Sequence, residues 1–469
     1  MKSHLIERYG RKEYEAANLT LQDWGTDWAE MEPHYAKFEA VAGTSGKAGN
    51  IKGKIQEGGN PFEGPRSGEY PNPPLKQPYG PTLFSQAAKE MGYKPYYVPS
   101  SLVSQGYTNP YGVTMGPCTY CGFCTNYGCA NYSKASAITT VLPALIREPN
   151  FTAKTNCEVH RVVMDGSGKR ARGVIYTDSS GRTWEQPAEL VVVAAFILEN
   201  VRLMLLSGVG TPYNPETGKG TTGRNYCYQT ANNVQLFFKD KNFNPFIGGG
   251  AVGMGIDETN NDNFDHSGLG FFGGGSTRVT PIGAAPIAST PTPPGSPKWG
   301  KGWKQAVKDN YLGNMSIGCE ASSYAQQGNY LSLDPTYKDP HGYPLLRMTF
   351  DFPENDLRMA QYVTDKIAAI GEHMGPDHII KSPRKGPWNN LSYQSSHMTG
   401  GFLMGSDPSI SSVNKYLQTW GVPNLFVVGA SAVPQNPGYN PTGTVGALAF
   451  KAADAIRRLY LKNPGEMIA

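Results

Sequence analysis

The stretch from Leu190 to Gly210 constrains the fold of this chain more than any other. Leu190-Val-Val-Val-Ala-Ala is a continuous apolar run, the pattern of a central strand buried on both faces. It passes directly into a helical segment, about Ile197 to Leu206, that Ser207-Gly-Val-Gly210 closes. A strand that feeds a helix without a turn is half of a dinucleotide-binding unit. With 469 residues there is room for two or three domains around that unit.

A second kind of element lies between about Gln229 and Asp365. Gly-rich turns and the Pro/Thr-rich coil Thr280 to Pro297 separate short alternating stretches such as Tyr330-Leu-Ser-Leu and Leu346-Arg-Met-Thr-Phe. This predicts an antiparallel sheet with long loops, a second domain. A helix from about Glu354 to Met374 follows, then a strand Leu425-Phe-Val-Val and a closing helix from about Thr444 to Tyr460. Nearer the start, Trp24, Trp28, Met31, Tyr35 and Phe38 recur at helical spacing and predict a helix over Asp23 to Val41, ahead of Gly/Pro-rich coil from Gly43 to Pro81. Ala135 to Glu148 reads as a helix, and Thr152 to Val159, Val162 to Asp165 and Gly173 to Thr177 read as strands of a meander.

The fold class expected is therefore mixed α/β, with a Rossmann-like part and an antiparallel substrate domain. Four units follow: a helix and covering segment over 1–117, a cysteine loop with part of the nucleotide domain over 118–228, the substrate domain over 229–380, and a C-terminal part returning to the nucleotide domain over 381–469. Charge argues against some partners. Lys and Arg exceed Asp and Glu by 42 to 38, and the longest basic block is Lys-Arg-Ala-Arg at 169–172, so no nucleic-acid-binding stripe exists. No apolar run reaches membrane-spanning length, and the first residues lack a signal-peptide core.

Four of the seven cysteines crowd into Cys118-Thr-Tyr-Cys121-Gly-Phe-Cys124-Thr-Asn-Tyr-Gly-Cys129. Separations of 3, 3 and 5 let several sulfurs converge on one centre, and Gly122 and Gly128 let the backbone wrap it. An iron–sulfur cluster, a zinc knot and disulfides all remain open on spacing alone. Cys157, Cys227 and Cys319 are isolated and read as buried apolar residues.

In Gly438-Tyr-Asn-Pro-Thr-Gly-Thr-Val, small residues open a helix after a turn, where unpaired N–H groups suit an anionic or electron-rich ligand. His397 lies among Ser395, Ser396, Thr399 and two glycines, in a polar turn. His160 and His341 read as structural.

These stretches carry a resemblance. His397-Met-Thr-Gly-Gly-Phe-Leu-Met-Gly-Ser-Asp-Pro, Trp420-Gly-Val-Pro-Asn-Leu-Phe-Val-Val-Gly-Ala-Ser and Asn440-Pro-Thr-Gly-Thr-Val resemble the C-terminal end of the glucose–methanol–choline family of flavin oxidoreductases. Ser207-Gly-Val-Gly210 resembles the end of the family's second signature, with Phe196 and Asn200 standing where that signature expects Gly or Ser and Ser or Thr. The cysteine run with Asn131-Tyr-Ser-Lys-Ala-Ser is similar to the large subunits of bacterial cytochrome-linked sugar and sugar-acid dehydrogenases.

The resemblance implies FAD as cofactor, His397 as the base for the substrate hydroxyl and Asn440 as its polar partner. It assigns Gly429, Ala430, Asn440, Pro441 and Thr442 to the flavin and Val159, through its backbone, to the adenine. It further implies a 3Fe–4S cluster on three of Cys118, Cys121, Cys124 and Cys129. The substrate implied first is gluconate, oxidised to 2-ketogluconate, with fructose, sorbitol, 2-ketogluconate and glucose as alternatives. Arg384 and Lys385 are candidates for a substrate carboxylate. The partners implied are a small subunit carrying the export signal and a multihaem cytochrome c subunit, which would hold the chain at the periplasmic face of the bacterial inner membrane. One departure stands out: no G-x-G-x-x-G turn for the FAD pyrophosphate occurs, nor does the family's first signature. The expectation is a chain that lacks an N-terminal segment of roughly a hundred residues, and that holds FAD weakly or is inactive alone.

Overall fold

The computed structural model describes residues 1–124, 127–250, 252–281, 290–390 and 396–467. Its interior is organised around two cores. The first surrounds a parallel pair, Val191–Val193 beside Leu425–Val427, with Val191 opposite Leu425 and Val193 opposite Val427. Val191 and Val193 are buried with Ile197, Val201 and Met204 of the helix Phe196–Leu206. The two-sided burial expected of this strand is not met: successive side chains alternate between faces, and Val192 is 48% exposed.

The closing helix, Thr442–Ala455, packs on the helix Trp28–Ala42. Contact is close because Gly446 has no side chain; a Cβ there would stand 2.2 Å from the Phe38 ring. Tyr35 Oη and Thr444 Oγ1, 2.7 Å apart, tie the same two helices. The first of these helices begins later than the hydrophobic spacing predicts. Asp27 takes an extended cap conformation and accepts the Glu30 N–H at 2.9 Å. Asp23 is drawn away to the N-terminal amine and Ser3.

Proline and turn chemistry explain the other differences. The helix expected over Ala135 to Glu148 is two single turns, Ala137–Thr140 and Leu142–Leu145, because Pro143 cannot continue the hydrogen-bond ladder from the first. The strands expected at Thr152 to Val159 and Val162 to Asp165 form one strand, Glu158–Met164. It pairs with Ala171–Thr177, which pairs with Thr183–Pro187. Asp165 stops it by accepting the N–H groups of Ser167 and Lys169.

The second core lies under a six-stranded antiparallel sheet. Its order is His378–Ser382, Thr230–Phe237, Asn314–Ala321, Gly275–Val279, Met254–Ile256 and Tyr96–Tyr97. Met359, Val363, Ile367 and Ile370 of the helix Glu354–His373 pack against it with Met315, Ile317, Cys319 and Ala321. Alternation along Asn314–Ala321 then leaves Ser316, Gly318 and Glu320 on the opposite face. A helix unmarked by the sequence reading, Tyr79–Glu90, adds Phe84, Ala87 and Ala88 to this core. The hairpin Tyr330–Lys338/Pro344–Thr349 stands outside the sheet and packs Leu331 and Met348 on the first core. Among the described residues no helix is long and apolar enough to cross a membrane.

Candidate active site

A cavity of about 750 Å³ is lined from both cores. Tyr35 and Glu39 of the helix Trp28–Ala42 form one wall, Arg278 of the antiparallel sheet another, and Tyr439, Asn440 and Thr442 a third. Arg66, which also lines it, is clasped by both oxygens of Glu39 and lies 4.0 Å over the Tyr70 ring. Asp257 is buried at the rim, where burial pushes its carboxyl up against the hydrogen bonds that Asn60 and Asn260 donate. Burial likewise pushes Tyr439 up to about 12.

His397 is held by its backbone in the left-handed region, φ 64°, which non-glycine residues adopt uncommonly. Its carbonyl accepts the N–H of Gln229 at 3.4 Å and the side-chain amide of Asn436. Asn436 belongs to the turn 434–441 that carries Asn440. The neighbouring Met398–Thr399 pairs with Cys227–Tyr228. On the ring side, His397 Nδ1 lies 3.5 Å from Glu320 Oε2, and Glu320 Oε1 lies 3.3 Å from Arg278 Nη2. Burial raises Glu320, but the His397 contact and the charges of Arg278 and Arg384 outweigh it, so its carboxyl settles below the usual value. Ser395, named with His397 in the sequence, lies outside the described residues.

The residues matched to a flavin divide into two places. Gly429 and Ala430 follow the strand Leu425–Val427 at its carboxyl end, where open α/β sheets bind ligands. Asn200 braces them: its side-chain amide donates to Val428 O at 3.0 Å and Ser431 Oγ at 2.9 Å, and its oxygen accepts the Ala195 N–H at 2.7 Å. The residue that departs from the family signature thus ties together the loops after both parallel strands. Asn440 and Thr442 are exposed to the cavity at the start of the helix Thr442–Ala455. That helix opens with no side-chain cap and no acidic residue in its first turn, and a Cβ at Gly443 would touch nothing within 4 Å. Open N–H groups beside free space fit an electron-rich or anionic group such as FAD presents. Val159 is not brought to the cavity. It sits on the strand Glu158–Met164, paired with Tyr176, its side chain 39% exposed.

The cysteine run is laid against the antiparallel domain by Gly122, whose φ of 75° and close approach to Phe246 exclude a side chain. Its N–H donates to Gly248 O at 3.0 Å. Lys134 fastens the run from within, donating to the carbonyls of Cys124 and Tyr127. All seven cysteines are free. Burial, joined by the charges of Cys124, Cys121 and Cys129, pushes the Cys118 thiol up. Cys129, despite burial, is lowered by the N–H groups of Lys134, Asn131 and Ser133. Among the described residues no three of these sulfurs lie within 4.8 Å of one another. Cys227 and Cys319 are buried as expected; Cys157 is only half-buried, because it precedes the strand Glu158–Met164 rather than lying within one.

One further cluster, Glu158, His160 and Asp339, converges where the hairpin meets the three-stranded sheet. Its atoms are already engaged. Asp339 accepts from Arg202 and from the N–H groups of His341 and Tyr343, His160 bonds Thr177 at 2.8 Å, and the His160 ring stacks on Tyr343. The two histidines hold the hairpin in place.

Sequence reasoning missed Glu320 and Arg278. Both sit on strands whose alternation is plain, and the polar half of an alternating strand reads as a solvent face.

His397 against the half-buried Glu320, Glu320 against the cavity-lining Arg278, and an open helix start on the cavity wall suit a flavin-type alcohol oxidoreductase. Two family models, both described as GMC oxidoreductase, match residues 81–230 and 325–449. The chain is 48% identical over its full length to the gluconate 2-dehydrogenase flavoprotein of Pantoea cypripedii, covering 77% of that protein. It is 25% identical over 93% of its length to the fructose dehydrogenase large subunit of Gluconobacter japonicus, covering 74% of it. A formate oxidase of Aspergillus oryzae shares the fold at a TM-score of 0.58 and 14% identity, over 96% of this chain and 81% of that one. The chain belongs to the GMC oxidoreductase family, enzymes that bind FAD and act on CH–OH groups.

Proposed function

We propose that the chain is the flavoprotein subunit of a sugar-acid dehydrogenase that oxidises D-gluconate to 2-keto-D-gluconate. The observation that carries this reading is the 48% identity to a gluconate 2-dehydrogenase flavoprotein over the whole chain. FAD, when bound, accepts the hydride that leaves the carbinol carbon. Gly429, Ala430, Pro441 and Thr442 would hold it by main chain and small side chains, and Val159 would meet its adenine end.

His397 removes the hydroxyl proton. Glu320 faces Nδ1, which fixes the tautomer with a proton there and leaves Nε2 as the acceptor. Asn440 holds the hydroxyl oxygen from the other side with its amide. As the C–O bond becomes a carbonyl, the proton resides on Nε2 and two electrons have left with the hydride. The Arg278–Glu320 pair keeps a negative charge beside the imidazolium that forms.

Three of Cys118, Cys121, Cys124 and Cys129 would carry a 3Fe–4S cluster, a reading supported by four free thiols at separations of 3, 3 and 5. The partners in this reading are a small subunit with the export signal and a multihaem cytochrome c, at the periplasmic face of the bacterial inner membrane. The test is gluconate-dependent dye reduction by the purified complex. Formation of 2-ketogluconate supports the reading, and activity only on fructose or sorbitol overturns it. Iron by elemental analysis with an EPR signal in the oxidised complex supports the cluster; zinc without iron rejects it.

A further inference from the structure

Arg278 has more donor capacity than its surroundings use. It lies on the strand Gly275–Val279, lines the cavity, and its side chain is 17% exposed. A guanidinium offers five N–H donors in a planar fork. One of them reaches Glu320 Oε1 at 3.3 Å, and no other partner is present among the described residues. The other guanidinium of the cavity wall, Arg66, is spent on both oxygens of Glu39 and on the Tyr70 ring. The other carboxylates lining the cavity make no contact with Arg278: Glu63 accepts the N–H groups of Gly49 and Asn50, and Asp257 is held by Asn60 and Asn260. A half-used fork facing a cavity is a site for a planar anion.

We propose that Arg278 receives the carboxylate of an aldonate substrate and thereby selects the hydroxyl next to it for oxidation. The proposal rests on the sugar-acid reading given above. Position argues for the second half. Arg278 and His397 grip opposite oxygens of the same carboxylate, that of Glu320, at 3.3 and 3.5 Å. The guanidinium and the base are therefore separated by little more than a carboxylate and its two contacts. A substrate whose own carboxylate docks on the free fork presents its adjacent hydroxyl toward His397, so the proposal assigns oxidation to C2 rather than C5.

Arg384 and Lys385, the cations nearest in sequence to His397, are placed otherwise. The Arg384 guanidinium lies over the Phe352 ring at 5.2 Å, its backbone N–H donates to Asn232 Oδ1, and it does not line the cavity; Lys385 is exposed.

The test uses the holoenzyme complex with its flavin and compares kcat/KM for gluconate with that for its neutral isostere gluconamide. In Arg278→Gln the ratio of the two should fall roughly 10- to 100-fold, the loss of a charge-assisted pair of hydrogen bonds, while Arg384→Gln leaves it unchanged. Arg278→Lys, which keeps the charge beside Glu320 but not the fork, should fall between and serves if the glutamine variant fails to fold. A ratio unchanged in both Arg278 variants, or one that collapses in Arg384→Gln instead, overturns the proposal. So does 5-ketogluconate as the main product of the parent enzyme. A parent enzyme that oxidises neutral polyols and not gluconate fails at the sugar-acid reading itself, before any variant is compared.

Discussion

The two sides of the candidate site hold their residues by different means. On the parallel-strand side the groups are backbone and small side chains: Gly429 and Ala430 after one strand, Asn440 and Thr442 at a helix start. On the antiparallel side they are charges on a strand face, Glu320 and Arg278, paired with each other at 3.3 Å. The first side shapes space for a cofactor by where the main chain goes, and a substitution there acts through geometry. The second sets protonation and charge, and a substitution there acts through pH and substrate choice. His397 belongs to both, its backbone tied to the turn of Asn436 and its ring to Glu320.

Removing that link has the largest expected effect. His397→Ala takes away the base proposed for the hydroxyl and should lower kcat about 100- to 10,000-fold. Bound flavin, measured by its absorbance, should stay at the parent level, because the cofactor side is held by main chain. Loss of flavin along with activity would show that the two sides are not separable.

Glu320→Gln probes the charged side alone. It preserves shape and removes the negative charge beside the imidazole, so kcat/KM should fall about 10-fold and lose the acidic limb that protonation of Glu320 itself gives the parent. Despite burial, the His397 contact and the charge of Arg278 hold that carboxyl below its usual value, so the parent keeps the charge down into acid and loses it only there. A profile that keeps its position while the rate drops would assign Glu320 a purely steric part.

How legible each side was in the sequence follows from the same distinction. Main-chain function leaves a trace in composition, since glycine, proline and alanine cluster where the chain must turn or approach closely. The stretch around Asn440 and the polar turn of His397 stand out in the residues for that reason, whereas Gly429 and Ala430 are marked only by the family resemblance. Side-chain function on a strand leaves no such trace. Glu320 occupies the outward half of Met315-Ile317-Cys319-Ala321 alternation, and only the tertiary arrangement shows that outward means His397 and Arg278: Ser276, its partner across the ladder, donates its N–H to the Gly438 carbonyl, seating the C-terminal turn against the sheet. Element boundaries failed where a local competitor won, as Asp27 capping did over the hydrophobic spacing from Trp24 and as Pro143 did within the expected helix.

On the parallel side, Asn200→Ala removes three hydrogen bonds that join the loops after both strands. The Ala195 N–H and the half-buried Val428 carbonyl lose their partner, which costs about 1 kcal/mol. Thermal or denaturant unfolding should register that loss, and flavin release on dilution should quicken. The pH profile of the remaining activity should match the parent, which distinguishes this side from that of Glu320.

The smallest effect expected is on stability and again separates the two sides by titration. Asp356, in the first turn of the helix Glu354–His373, is fully buried; burial pushes its carboxyl up to about 7, against a hydrogen bond from Asn355. An acid whose folded value lies above its unfolded one binds its proton more tightly when folded, so stability is highest below about pH 4 and declines as pH rises toward 7. Asp356→Asn cannot ionise and escapes that decline. The gain is limited because Asp356 Oδ2 has no hydrogen-bond partner among the described residues, so an amide group placed there would bury an unpaired donor. At pH 8 the variant should therefore exceed the parent by only about 1 kcal/mol, and at pH 5 the order should close or reverse. Unfolding midpoints at the two pH values decide it. A constant difference between them would mean that Asp356 does not titrate in this window, and that the pH sensitivity of the antiparallel side resides in Glu320 and its partners.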